Sequence, residues 1–218
     1  PLIEIVSKPD LSSAEEAREF LETLRQRLRY IGVSDVKMEE GSLRCDVNIN
    51  MVDDQGNRTG ISEIKNLNSF RAVVRAIEHE ELRHRQMLES GELGVKETRR
   101  WDESSQTTIL MRTKDETNDY RFTVEADLPR LNLSTDYIDA IGQQLPELPH
   151  SKKKRYQEDY KLNEYDASVL SQEKDIADLF EGMIELVADP VLVANWIQTD
   201  IMRRLKEFEI EANQMPLS

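Results

Sequence analysis

Four side chains have the types and spacing to do chemistry together: Asp46, Asn48, Glu63 and Lys65. Two carboxylates, an amide and an ammonium could serve a metal ion and phosphates, because hard cations such as Mg²⁺ take oxygen ligands. They meet only if two strands pair. Residues 43–52 alternate, with Cys45, Val47, Ile49 and Met51 on one side and Arg44, Asp46, Asn48 and Asn50 on the other. A period of two marks a half-buried strand. Asp53, Asp54, Gln55, Gly56 and Asn57 are turn residues, with Gly56 free to take positive φ. Residues 61–67 then run back as a second strand. A turn centred near Gln55 and Gly56 sets Asp46 opposite Lys65 and Asn48 opposite Glu63, with cross-strand neighbours about 5 Å apart. A slip of one residue would carry Glu63 to the other face. The plain alternative, which patterning by itself favours, is a solvated sheet face with one ion pair.

The elements around this hairpin read as follows. Residues 2–6 are apolar and suggest a short strand ended by Lys8, Pro9 and Asp10. Residues 12–30 form a helix, with Ser12 and Glu15 as a capping box. Phe20, Leu21, Leu24, Leu28 and Ile31 recur on its inward side, and Gly32 closes it. Ser69 caps a helix over residues 70–90 with an inward stripe of Phe70, Val73, Val74 and Ile77, stopped by Gly91. His79 and His84 fall in its charged stretch, off one face, and read as surface histidines. Residues 96–102 read as an edge strand and residues 107–112 as its hairpin partner; residues 120–124 suggest one more short strand.

From about residue 134 the strand patterning stops. Helices are expected over residues 135–145, 152–160 (capped by Ser151), 166–171 and 174–188. A last helix restarts at Pro190 and continues through Trp196, Ile197, Ile201, Leu205 and Phe208. The chain therefore reads as α+β: a mainly antiparallel sheet with packed helices in residues 1–133, then an all-helical bundle in residues 134–218. Lys152, Lys153, Lys154 and Arg155 form a basic run, read as a solvated face with a local phosphate contact as the alternative.

Composition narrows the function classes. Of 218 residues 33% are charged and 38% hydrophobic, which is a globular, surface-rich balance. The net charge of −14 argues against a wide phosphate-binding surface, so any RNA contact must be local or made by another part of an assembly. One cysteine, Cys45, allows no internal disulfide and fits a reducing compartment. One cysteine and three histidines do not make a structural zinc site of ordinary spacing. No apolar run reaches the ~20 residues of a membrane span. The first residues lack an initiating Met and a signal pattern and look like a strand in progress, which implies a chain that begins inside a larger protein.

Several stretches, in order, carry a resemblance. Met38-Glu39-Glu40-Gly41-Ser42-Leu43-Arg44-Cys45-Asp46-Val47-Asn48-Ile49 and Glu63-Ile64-Lys65-Asn66-Leu67-Asn68-Ser69-Phe70 resemble signatures of the B subunit of the glutamyl/aspartyl-tRNA amidotransferase. Further matches are Glu97-Thr98-Arg99 with Trp101-Asp102, Met111-Arg112-Thr113-Lys114 and Asp119-Tyr120-Arg121. Leu145-Pro146-Glu147-Leu148-Pro149 and Glu164-Tyr165-Asp166-Ala167 also match. The likeness covers nearly the whole chain.

The resemblance implies the second half of a cradle domain and most of a helical domain, without the first cradle strands and the tail that grips tRNA. It implies a ligase component that uses ATP and Mg²⁺ to phosphorylate the side-chain carboxyl of Glu-tRNA(Gln) or Asp-tRNA(Asn). The A subunit, which is an amidase, supplies ammonia, and a small C subunit braces the pair. A protein that only docks the amidase and tRNA is the competing expectation. By position, Asp46 and Glu63 match family carboxylates that ligate or flank the metal, with Lys65 beside them as a catalytic candidate. Glu39, Glu40, Arg44, Asn48, Arg99 and Arg121 are implied substrate or nucleotide contacts, and for the arginines a sheet-surface ion pair is the equal alternative. Trp101 and Tyr120 read as packing. Phe122-Thr123-Val124-Glu125-Ala126 departs from the family pattern, in which an aromatic and two prolines are usual, and the loop before Glu63 is shorter and more acidic. These departures imply a divergent member, of the bacterial cytoplasm or the mitochondrial matrix.

Overall fold

The computed structural model describes residues 2–113, 127, 131–210 and 212–215. It is α+β and divides into two compact units. One comprises the chain up to Thr23 with Val36–Leu131, and the other Leu24–Asp35 with Asn132–Ser218.

The first unit is built on a four-stranded sheet of order β1-β2-β3-β4. Strands β1 (Cys45–Ile49) and β2 (Ser62–Leu67) are antiparallel, as are β3 (Glu97–Asp102) and β4 (Thr107–Thr113). Between the two pairs, β2 and β3 run parallel. The sheet is therefore mixed, and β3 is an interior strand, not the edge strand expected. The reason is the helix α2 (Phe70–Ser90) between them, which supplies the crossover that parallel neighbours require.

Helix α1 (Ala14–Tyr30) gives this unit its first half. Ala14, Ala17 and Leu21 join Ala72, Val73, Ala76 and Ile77 of α2 and Ile64, Leu67 and Trp101 of the sheet in one core. Each large aliphatic side chain so buried contributes roughly 1.5–3 kcal/mol. The cap of α1 lies one residue later than expected: Ser13 Oγ accepts from the Glu16 amide at 3.1 Å, and Glu16 reaches back to the Ser12 amide at 2.7 Å. Helix α2 has its expected ends, with Ser69 Oγ accepting from the Ala72 amide and Gly91 left-handed at φ 77°. Residues 2–6 are not a strand; Leu2 is 91% exposed, and the segment joins no β-ladder among the described residues. Apolar composition alone makes no strand without a partner. The strand expected over residues 120–124 lies outside the described residues.

The second unit is helical. It contains α3 (Thr135–Gln144), α4 (Pro149–Glu158), α5 (Glu164–Gln172), α6 (Lys174–Leu186), α7 (Pro190–Trp196) and α8 (Met202–Phe208). Tyr156, Leu162, Ala167, Leu170, Ile176, Phe180, Val193, Ala194 and Ile197 form its core. The second half of α1 belongs here: Tyr30 Oη donates to the Ser171 carbonyl at 2.5 Å, and Gln26 Nε2 to that of Gln172 at 3.0 Å. Helix α4 starts at Pro149 with Leu148 at its N-cap, ahead of the Ser151 cap expected, because proline fits the first helical position. The single helix expected after Pro190 is interrupted by a π-helical turn, Ile197–Ile201. Ile197 is buried there, whereas Trp196 and Phe208 are exposed.

The basic run of α4 is a solvated face only in part, since Lys154 is exposed while Lys152 turns inward. Lys152 is buried with Nζ 2.6 Å from Glu181 Oε1. Arg155 is held by Glu147 at 2.6 Å and Glu181 at 2.5 Å. Lys153 and Lys154 pair with Glu164 and Glu158.

Candidate functional site

The hairpin that carries the acidic face is closed by the expected turn. Asp53 Oδ1 accepts from the amides of Gln55 and Asn57 at 2.9 and 2.8 Å, and Gly56 takes φ 85°. Asn48 pairs with Glu63, as the turn predicts, and Val47 with Ile64. A bulge between Cys45 and Val47 leaves Asp46 without a straight partner in the ladder. Its side chain still meets Lys65: Nζ lies 2.5 Å from Asp46 Oδ2 and 3.1 Å from Glu63 Oε1. Partial burial lowers the Lys65 pKa, but hydrogen bonds to the two carboxylates outweigh it and the net shift is upward. Thr98 Oγ1 of β3 donates to Glu63 Oε2 at 3.0 Å.

Alternation places this group on the sheet face opposite α2, since Ser62 and Ile64, the neighbours of Glu63 in β2, are fully buried and Ser62 bonds to α2. Cys45, Val47 and Ile49 point toward the core, as expected. Burial, then the charge of Asp46, pushes the Cys45 thiol up to about 11, so it is no nucleophile at neutral pH.

The other candidates are not all brought to this group. Glu39 and Glu40 are exposed in a turn before β1, and Glu40 pairs with Lys37 at 2.7 Å. Arg44 is exposed one residue before β1, and Asn48 is exposed opposite Glu63. Arg99 lies on the α2 side of the sheet. Its Nε is 2.8 Å from Thr108 Oγ1 and 3.3 Å from Glu80 Oε1, and Nη1 is 3.3 Å from Glu97 Oε2. Arg121 lies outside the described residues. Trp101 is packed in the core, as expected.

Behind the sheet is a buried polar cluster that the sequence reading missed. Glu80 and His84 of α2 are fully buried. Arg83 Nη2 lies 2.7 Å from Glu80 Oε2 and 2.5 Å from Glu97 Oε1. His84 Nδ1 is 2.6 Å from Thr59 Oγ1, and Nε2 is 2.9 Å from Ser62 Oγ. The expectation of a surface histidine is therefore wrong for His84. The signal was in the spacing: Glu80 and His84 continue the three-to-four-residue stripe of Val73 and Ile77, so charged residues occupy inward positions.

Among the described residues no group of three or more His, Cys, Asp or Glu side chains makes a metal centre. Asp46 and Glu63 already share one cation, the Lys65 ammonium. Two carboxylates completed by substrate phosphate oxygens and water are a usual Mg²⁺ donor set, so the pair fits part of one.

The unit holding this face matches a family of catalytic domains. Residues 1–139 match the GatB/GatE catalytic domain, and the chain belongs to that family. Named relatives extend the likeness through the helical unit. The B subunit of the aspartyl/glutamyl-tRNA(Asn/Gln) amidotransferase from Finegoldia magna is 53% identical over all of this chain and 46% of that protein. Those of Thermotoga maritima and Levilactobacillus brevis are each 46% identical over all of this chain, covering 45% and 46% of their own lengths. The chain spans about half the length of the curated relatives it matches.

Proposed function

We propose that this chain is part of the B subunit of a tRNA-dependent amidotransferase that activates Glu-tRNA(Gln) or Asp-tRNA(Asn) with ATP. The side-chain carboxylate oxygen attacks the γ-phosphorus of ATP and releases ADP. Ammonia from the A subunit, an amidase, then attacks the acyl phosphate carbon and expels phosphate, with a small C subunit bracing the assembly. The sheet unit would be the second half of the cradle domain, and the helical unit part of the domain that follows it. The compartment is the bacterial cytoplasm or the mitochondrial matrix.

The observation that carries this reading is the convergence of Asp46, Lys65 and Glu63 on one face of a unit that matches a catalytic-domain family. Asp46 and Glu63 would hold Mg²⁺, which when bound neutralises charge developing on phosphate oxygens. Lys65 offsets the repulsion between the two carboxylates and presents an ammonium to an incoming anion. Asn48, paired with Glu63 and exposed, offers an amide at the same edge. A purely docking role is the second reading. It is favoured by the Lys65 ammonium, which already satisfies both carboxylates.

The test is made in the complete complex of full-length subunits. Asp46→Ala and Glu63→Ala are expected to abolish ATP-dependent transamidation while glutamine hydrolysis by the amidase is largely kept. Transamidation surviving both changes would sink the catalytic reading and leave the docking one.

A further inference from the structure

We infer that Thr98 is a positioning residue for Glu63, the buried hydroxyl that orients this carboxylate for the cation it would hold; the inference rests on the reading given under Proposed function. Thr98 is 1% exposed, and its Oγ1 donates to Glu63 Oε2 at 3.0 Å. The other oxygen, Oε1, is the one 3.1 Å from Lys65 Nζ. The two carboxylate oxygens thus meet different partners, a buried neutral donor on one side and a partly exposed cation on the other. A donor to one oxygen sets the rotation of the carboxylate, as outer hydrogen bonds do for metal-ligating side chains.

The strand pairing fixes the donor itself. Glu63 and Thr98 are partners across the parallel β2–β3 ladder. Ser62 and Glu97, the rung before, are partners on the opposite face, with Ser62 Oγ donating to Glu97 Oε1 at 3.1 Å. That rear rung is tied to α2: Arg83 Nη2 donates to Ser62 Oγ at 2.8 Å and to Glu97 Oε1 at 2.5 Å. A slip of β3 along β2 would break this charged rung in the interior, so Thr98 stays within reach of Glu63. The cluster behind the sheet and the acidic face in front are two sides of one register.

The experiment compares Thr98→Val, Thr98→Ser and Glu63→Gln in the full-length complex. Mn²⁺ binding is read by electron paramagnetic resonance, the Mg²⁺ dependence of transamidation by activity, and folding by thermal denaturation. Valine keeps the branched shape favoured in a strand and removes only the donor. Thr98→Val is expected to weaken Mn²⁺ binding and raise the half-saturating Mg²⁺ about 10-fold or more, the usual scale for outer-shell partners. Thr98→Ser should stay within about threefold of the parent on that same scale, and Glu63→Gln should lose more than either. Parent-like Mn²⁺ binding and Mg²⁺ dependence in Thr98→Val, with Glu63→Gln impaired, would overturn this inference alone. Equal loss in the valine and serine variants would also overturn it, because the hydroxyl would then not be the cause. Parent-like behaviour of Glu63→Gln would remove the metal reading and this inference with it.

Discussion

Glu80 keeps a carboxylate where no water reaches it, and the surrounding donors explain how. Oε2 receives Arg83 at 2.7 Å and faces His84 Nε2 at 3.3 Å, while Oε1 faces Arg99 at 3.3 Å and accepts from the Thr108 hydroxyl. Burial pushes its pKa up, but hydrogen bonds from His84, Arg83 and Thr108 and the charge of Arg83 outweigh that and hold it well below the ordinary 4.5. A carboxyl depressed in the folded state contributes stability that is present above pH 4.5 and lost as pH falls toward its folded value. Glu80→Gln should therefore flatten the acid side of the stability profile, seen as a smaller drop in urea midpoint between neutral pH and pH 4 than in the parent. Glu80→Ala should cost about 3–5 kcal/mol in urea unfolding at neutral pH, because it removes a buried carboxylate that Arg83, Arg99, His84 and Thr108 all contact and leaves Glu97 alone to balance the two arginines. A loss below about 1 kcal/mol, the scale of an exposed ion pair, would show that the cluster is not a keystone of this unit. The meeting of Asp46, Glu63 and Lys65 was legible because all three lie on one hairpin. The partners of Arg99 and His84 were not, because they come from segments distant in sequence, although the spacing along α2 already pointed His84 inward.

At the scale of elements, local punctuation carried far and long-range pairing did not. Residues 43–67 and α2 announced themselves through a period of two, a turn cluster, a Ser cap and a Gly stop, all local signals. That β3 is interior and parallel to β2 depends on how α2 packs, and no residue of β3 records it. The π-helical turn at Ile197–Ile201 likewise leaves no mark in the apolar spacing. The entry to β2 offers a test of element packing. The Gly60 amide donates to the Leu93 carbonyl at 2.7 Å, and a Cβ at Gly60 would lie 2.5 Å from the Val95 backbone carbonyl carbon and oxygen. Backbone cannot move aside as a flexible side chain can, so Gly60→Ala should cost about 1–3 kcal/mol. Gly142, inside α3, has nothing within 4 Å of such a Cβ and no positive φ, so Gly142→Ala should stabilise by up to about 1 kcal/mol. Thermal denaturation of the two variants side by side checks both, and a stabilised Gly60→Ala would refute the close approach.

The whole chain is acidic, with net charge −14, yet its proposed substrate is an RNA ester. The basic run is where a phosphate contact was open, and each of its cations has a carboxylate beside it: Lys152 and Arg155 meet Glu181, Arg155 also Glu147, and at the surface Lys153 meets Glu164 and Lys154 meets Glu158. A surface whose cations are already neutralised releases few counterions when it meets a polyanion. If this chain alone touches only one or two phosphates, its affinity for tRNA should fall about tenfold or less between roughly 50 and 200 mM salt. A protein making six to ten such contacts loses roughly 10³–10⁵ over the same interval. Fluorescence polarisation of labelled tRNA across that salt range distinguishes the two. A shallow, weak titration would fit the proposed arrangement, in which the RNA is held elsewhere in the assembly. A steep one would mean that tRNA displaces Glu147 and Glu181 from the basic run, and the charge argument would fail. Glu181→Gln sharpens the contrast, since releasing Lys152 and Arg155 should steepen the slope only if that helix faces RNA.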